Sequence, residues 1–228
     1  MNVTVETADL RAALRSVLPH VHPDKDYAQL HRVRLEVGPE NVTVSATNRY
    51  TVGHALVSLW DNTDGELASV DLSPIDVKEI LTLFHARKAG HDEPDDTLRI
   101  EADDEHLTVT DISGLFPGKA LTLPRQPTED NFPKVEEIIR TTLVRGKAST
   151  DRMITAGQML GLFIQAAAAY GAQLVIDPAG NHGALLITCG ESFIGLLMPQ
   201  RPDDVQLAVI NGWHRDWMTR IDAKAVLV

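Results

Sequence analysis

A chain of 228 residues holds one domain and a remainder, not several full-sized domains. Its 21 Lys and Arg face 32 Asp and Glu, a formal net charge of −11, which argues against a plain nucleic-acid binder while leaving room for a local basic strip. The single cysteine, Cys189, rules out an intrachain disulfide or a Cys-only metal site, and its apolar surroundings in ALLITCGESFIGLLMP read as a buried, inert thiol.

The N-terminus MNVTVETADLR lacks the basic start and apolar run of a secretory signal. A reducing, cytoplasmic setting is therefore expected, and the sequons at Asn2 and Asn41 read as strand residues. NVTVETA is a short alternating strand that enters a helix at Thr7, whose hydroxyl is expected to cap it. Leu10, Ala13, Leu14, Val17 and Leu18 form that helix's apolar stripe. After the polar loop HVHPDKDY come three strands, LHRVRLEV, NVTVSATN and YTVGHALVSLW, spaced so tightly that they must form an antiparallel meander.

The pattern then repeats. ELASVDL is a strand, Ser73-Pro74 opens a helix with Asp76 completing the cap, and TLRIEAD, HLTVTDI and KALTL are again three short strands. A third, partial copy follows the polar stretch PRQPTEDNFPK and the segment VEEIIRTTLVRGKAS. In it Arg152 to Ile154 is expected as a strand, Thr155 with Gln158 as the capping box of a helix through Tyr170, and AQLVID, ALLIT and SFIGLLMP as a closing meander. Met153 to Ile176 carries no charge, but its glutamines and glycines mark it as core and not as a membrane span. The tail carries Trp213, Trp217, Met218 and Ile221 at helical spacing, and either packs on the chain's own surface or meets a partner.

The expected fold is thus α+β, built from repeated β-α-β-β-β units. Residues 1–128 form a complete domain of two units, 129–149 a linker, 150–202 a half domain and 203–228 a C-terminal tail. The stretches DLRAALRSVLPHV, VTVSATNRYTVGHALV, FPKVEEII and SFIGLLMPQR resemble the bacterial β sliding clamp, the DNA polymerase III β subunit, over about residues 1 to 202. The first 140 residues are most similar to its middle domain, and Met198-Pro199 with Arg201 resembles its C-terminal Met-Pro-x-Arg. A counterpart of the family's first domain is missing, so the family's ring-closing contact cannot be copied.

The resemblance implies a non-enzymatic DNA clamp, a processivity factor in DNA replication that needs no cofactor. Its implied partners are a DNA polymerase and other replication or repair proteins, duplex DNA bound without sequence preference, and, if rings form, further copies of itself. Membrane is not among them. Helices facing a duplex should carry cations, and Arg11, Arg15, Lys78, His85 and Lys88 are the candidates. The same charges would suit an ordinary solvated helix face, and the third helix offers none.

Carried over by matching position, the family's peptide-binding pocket comprises Thr47, Tyr50, Val52, Ile139, Leu196, Leu197, Met198, Pro199, Gln200 and Arg201. A concave apolar cup of this kind takes Leu or Phe side chains, each worth about 1.5–3 kcal/mol on full burial. Two or three anchors, less ordering costs, give about micromolar affinity. Read without the resemblance, LLMP is only a last core strand. Arg49 stands in the turn before Tyr50 and is expected to narrow the mouth. Two alternatives remain open. One is a clamp-derived decoy that captures clamp-binding peptides without encircling DNA. The other is a metal-dependent hydrolase using His20, His22 and Asp24, with Asp26 and His31 nearby.

Overall fold

The computed structural model describes the chain except residues 64, 66, 88–95, 127–130, 147–151, 180–182 and 226–228. The first unit runs β1 (Asn2–Glu6), α1 (Thr7–Val17), β2 (Val33–Val37), β3 (Asn41–Thr47) and β4 (Thr51–Asn62). The second runs β5 (Ser69–Leu72), α2 (Pro74–Leu83), β6 (Thr97–Ala102), β7 (His106–Asp111) and β8 (Ala120–Pro124). The two interlock. β1 lies between β4 of its own unit and β6 of the other, and β5 pairs with β2, giving the antiparallel order β5-β2-β3-β4-β1-β6-β7-β8. Alternation along β1 and the stripe of α1 send Val3, Val5, Leu10, Leu14 and Val17 into one core with Val77, Ile80, Leu98 and Ile100.

The expected linker contains α3 (Val135–Val144), whose Val135 and Ile139 are buried. The third unit differs from expectation at its start. Residues 152–156 form no strand, although Gln200 donates its amide to the Ile154 carbonyl at 2.7 Å. The helix expected through Tyr170 is broken into α4 (Gly157–Gly161) and α5 (Ile164–Tyr170), because Phe163 turns into the core between them. Neither threonine cap forms: Thr7 and Thr155 make no cap bond, whereas the Ser73–Asp76 capping box is complete. The meander of β9 (Leu174–Ala179), β10 (Ala184–Cys189) and β11 (Phe193–Leu197) is as expected, and α6 (Asp204–Ala225) follows it.

One strand joins the third unit to the first. The long β4 pairs along its far part with β1 and along its first five residues with β11, from Thr51 opposite Leu197 to Ala55 opposite Phe193. Gly53 and Gly195 face each other in this seam. A Cβ at Gly53 would lie 2.5 Å from the His20 ring, and one at Gly195 would lie 2.5 Å from Phe163 and 2.6 Å from the Val52 carbonyl oxygen. The two glycines therefore open a window that the His20 and Phe163 rings fill, with centroids 4.6 Å apart.

Candidate functional site

The β4–β11 register brings the residue before β4 beside the residue after β11. Met198 donates its amide to the Tyr50 carbonyl at 2.8 Å, and both side chains are open to solvent, Met198 by 44% and Tyr50 by 59%. The turn that presents Tyr50 is held by Asn48, whose Oδ1 accepts from the Tyr50 amide (3.0 Å), the Thr51 amide (2.8 Å) and the Thr51 hydroxyl (3.1 Å). This clamp keeps Arg49 at φ 79°, in the left-handed region that a side chain rarely takes. Contrary to expectation, Arg49 does not narrow the mouth. Its guanidinium lies over the Tyr27 ring, 4.4 Å from the centroid.

Around Tyr50 and Met198 lies a hollow of about 1230 Å³, lined also by Pro199, Gln200 and Arg201. Half of the expected pocket is thus brought together on one open surface. The other half is sealed. Val52, Ile139 and Leu196 pack with Phe132 and Val135 into a small second core, Leu197 is fully buried in the main core, and the Thr47 hydroxyl is spent on the Thr51 carbonyl. Phe132 closes this second core, and the Arg34 guanidinium covers its ring at 4.6 Å from the centroid. Arg34 is itself fixed by two bonds to the buried Asp71 carboxylate, at 2.8 and 2.9 Å. Nothing in the local sequence linked Arg34 to Phe132, which lie 98 positions apart.

Sequence reasoning also missed half of the wall. Met153, Ile154 and Met159 line the hollow from the third unit, and Val205, Val209, Ile210 and Trp213 line it from α6. The periodic apolar residues of the tail were the available signal. α6 begins with a reciprocal cap between Asp203 and Gln206, and the Arg152 guanidinium donates to Asn211 Oδ1, tying the helix to the 152–156 segment.

The expected duplex-facing residues divide as well. Arg11 is a correction: it is only 7% exposed and donates to the Leu81 and Phe84 carbonyls, closing the end of α2. Burial, and secondarily the nearby Arg15 charge, lowers its pKa. Arg15, Lys78 and His85 are exposed, and Arg15 shares a hollow of about 310 Å³ with His85, just past the end of α2. Lys88 lies outside the described residues.

The structure does not bring together the residues of the hydrolase alternative, and His20 shows why. It is fully buried, its Nδ1 lies 2.9 Å from the Thr51 hydroxyl, and desolvation lowers its pKa to about 3. His22 and Asp24 stay in the outer loop, and among the described residues no group of three or more His, Cys, Asp or Glu is placed to hold a metal ion. Also among them, no helix is long and apolar enough to cross a membrane.

Comparison with solved structures fits this geometry. The DNA polymerase sliding clamp of Bacillus subtilis superposes with a TM-score of 0.62 at 14% identity, over 89% of this chain and 65% of that one. The DNA polymerase III subunit β of Pseudomonas aeruginosa gives 0.59 at 15% identity, over 91% and 68%. The β subunit of Thermotoga maritima gives 0.62 at 11% identity, over 90% and 66%. The chain has the sliding-clamp fold. It spans about two thirds of the length of these clamps. No protein-family model and no curated protein matches it by sequence.

Proposed function

We propose that this clamp-fold protein is a non-enzymatic scaffold that tethers replication or repair proteins by their short apolar peptides. The observation that carries the reading is the open hollow at the meeting of Tyr50 and Met198-Pro199, bolted in place by the β4–β11 register. Apolar side chains on a rigid seam make a preorganised cup, so little ordering cost is charged against each anchor. In this reading residues 1–128 act as the complete domain, 150–202 as the half domain that supplies β11, and α3 packs between them. Tethering to DNA would follow from several copies closing round a duplex, with Arg15, Lys78 and His85 toward the phosphates.

The test is fluorescence anisotropy with a labelled peptide carrying Leu and Phe anchors between uncharged flanks. About micromolar binding is expected, and Met198→Asp should weaken it at least about tenfold. Failure of the peptide to bind, or equal binding by the variant, overturns the reading.

The decoy is a second reading with an observation in its favour. Arg11, the cation expected on the duplex face of α1, is consumed in capping α2, which thins the positive charge available for phosphate. Retention on nicked circular but not linear DNA, lost at high salt, selects the encircling scaffold, and absence of retention with intact peptide binding selects the decoy.

A further inference from the structure

The hollow has two features that the clamp-like body alone does not account for. Its outer wall is α6, and among the described residues its lining contains no carboxylate although the whole chain carries a net charge of −11. Arg152, Arg201 and His214 are the basic side chains among its described lining residues. At the start of α6, Asp203 Oδ1 accepts the Gln206 amide at 2.7 Å, and neither Asp203 nor Asp204 is among the described lining residues. An apolar trough with a cationic rim on an acidic protein is selective by charge, since neighbouring surface repels the anions that the rim attracts.

The wall is also incompletely used. Val205, Val209 and Trp213 repeat at a spacing of four along α6 and face the hollow, yet each stays more than half exposed. A volume of about 1230 Å³ between this ridge and the methionines of the third unit holds more than one bulky side chain. Methionine on one side and tryptophan on the other suit an adaptable apolar anchor.

We propose that α6 is the second wall of the site, and that the hollow takes a segment of another protein in which apolar anchors are flanked by Asp or Glu. This rests on the reading of the hollow as a peptide site and names the partner's chemistry. The anchors lie between Met198 and Trp213, and the flanking acids meet Arg201. α6 therefore adds affinity and does not plug the site.

The full chain is tested by anisotropy against two short labelled peptides with the same Leu and Phe anchors, one with Glu flanks and one with Lys flanks. The Glu-flanked peptide should bind at least about tenfold more tightly at low salt, with the preference shrinking as salt rises. Arg201→Glu should reduce that preference at least about fivefold. Trp213→Ala should weaken the Glu-flanked peptide about tenfold, while Trp217→Ala, outside the lining, should leave it unchanged. Equal binding of the two peptides overturns the charge selection. Tighter binding by Trp213→Ala overturns the wall and makes α6 a plug. Both of these results leave the peptide-site reading standing, whereas failure of either peptide, and of the uncharged one, to bind at all overturns both.

Discussion

The two halves of the peptide site expected from sequence sit on neighbouring residues of one strand end and behave as different materials. Leu196 lies at 4% exposure in a core closed by Phe132, whereas Met198 lies at 44% beside a hollow. Position relative to the seam decides which is which. Leu196 is opposite Val52 within the β4–β11 pair, while Met198 is past the last pair. Side chains inside a ladder are committed to a face, and those beyond its end are released from that alternation. A binding side chain on such a strand is therefore best sought just past its last paired residue, where the backbone is still held but the side chain is not covered.

The comparison breaks most severely at the glycine window. Gly195→Val places side-chain atoms where Phe163 and the Val52 carbonyl already lie, and should cost about 3 kcal/mol or more in urea unfolding. The sealed and open halves should collapse together, so peptide binding should vanish with the fold.

Acid tests the same seam. His20 has a pKa of about 3 in the folded chain against an ordinary 6.5, because burial opposes its charge. The unfolded chain takes up this proton first as pH falls, so the stability is fully present above about 6.5 and is lost from there down toward 3. Between pH 6.5 and 5 the loss should approach about 2 kcal/mol from His20. His54, whose pKa burial also lowers, should add in the same direction. Urea midpoints measured across this range should fall with pH, and His20→Leu should flatten the slope.

Leu196→Ala should cost about 2–4 kcal/mol by leaving a cavity beneath Phe132. Under conditions where the variant remains folded, it should change peptide affinity little. Met198→Asp should do the reverse, shifting stability by about 0.5 kcal/mol or less while weakening the peptide at least about tenfold. Measuring both quantities on both variants sharpens the contrast, because a single continuous pocket would make the pair behave alike.

The unit order and the three meanders were legible because alternation and tight spacing leave few antiparallel alternatives. The Ser73–Asp76 cap was legible because its partners lie three positions apart. The Thr7 and Thr155 caps failed on the same local logic, since Glu6 and Ala156 take the cap positions instead. Arg11 could not be read from α1 because its partners, the Leu81 and Phe84 carbonyls, come from another helix.

By itself the sequence determined most of the strand segments and which helix faces are apolar, while the resemblance to the clamp family pointed to Tyr50, Met198 and Pro199 as neighbours. Only the tertiary structure decided that Arg34 and Asp71 close Phe132 over half of the expected pocket, and that α6 walls the other half. Hydrophobic periodicity is a local property of a few turns. Which apolar residue is sealed and which stays open depends on partners brought in from elsewhere in the chain, and packing sets that assignment.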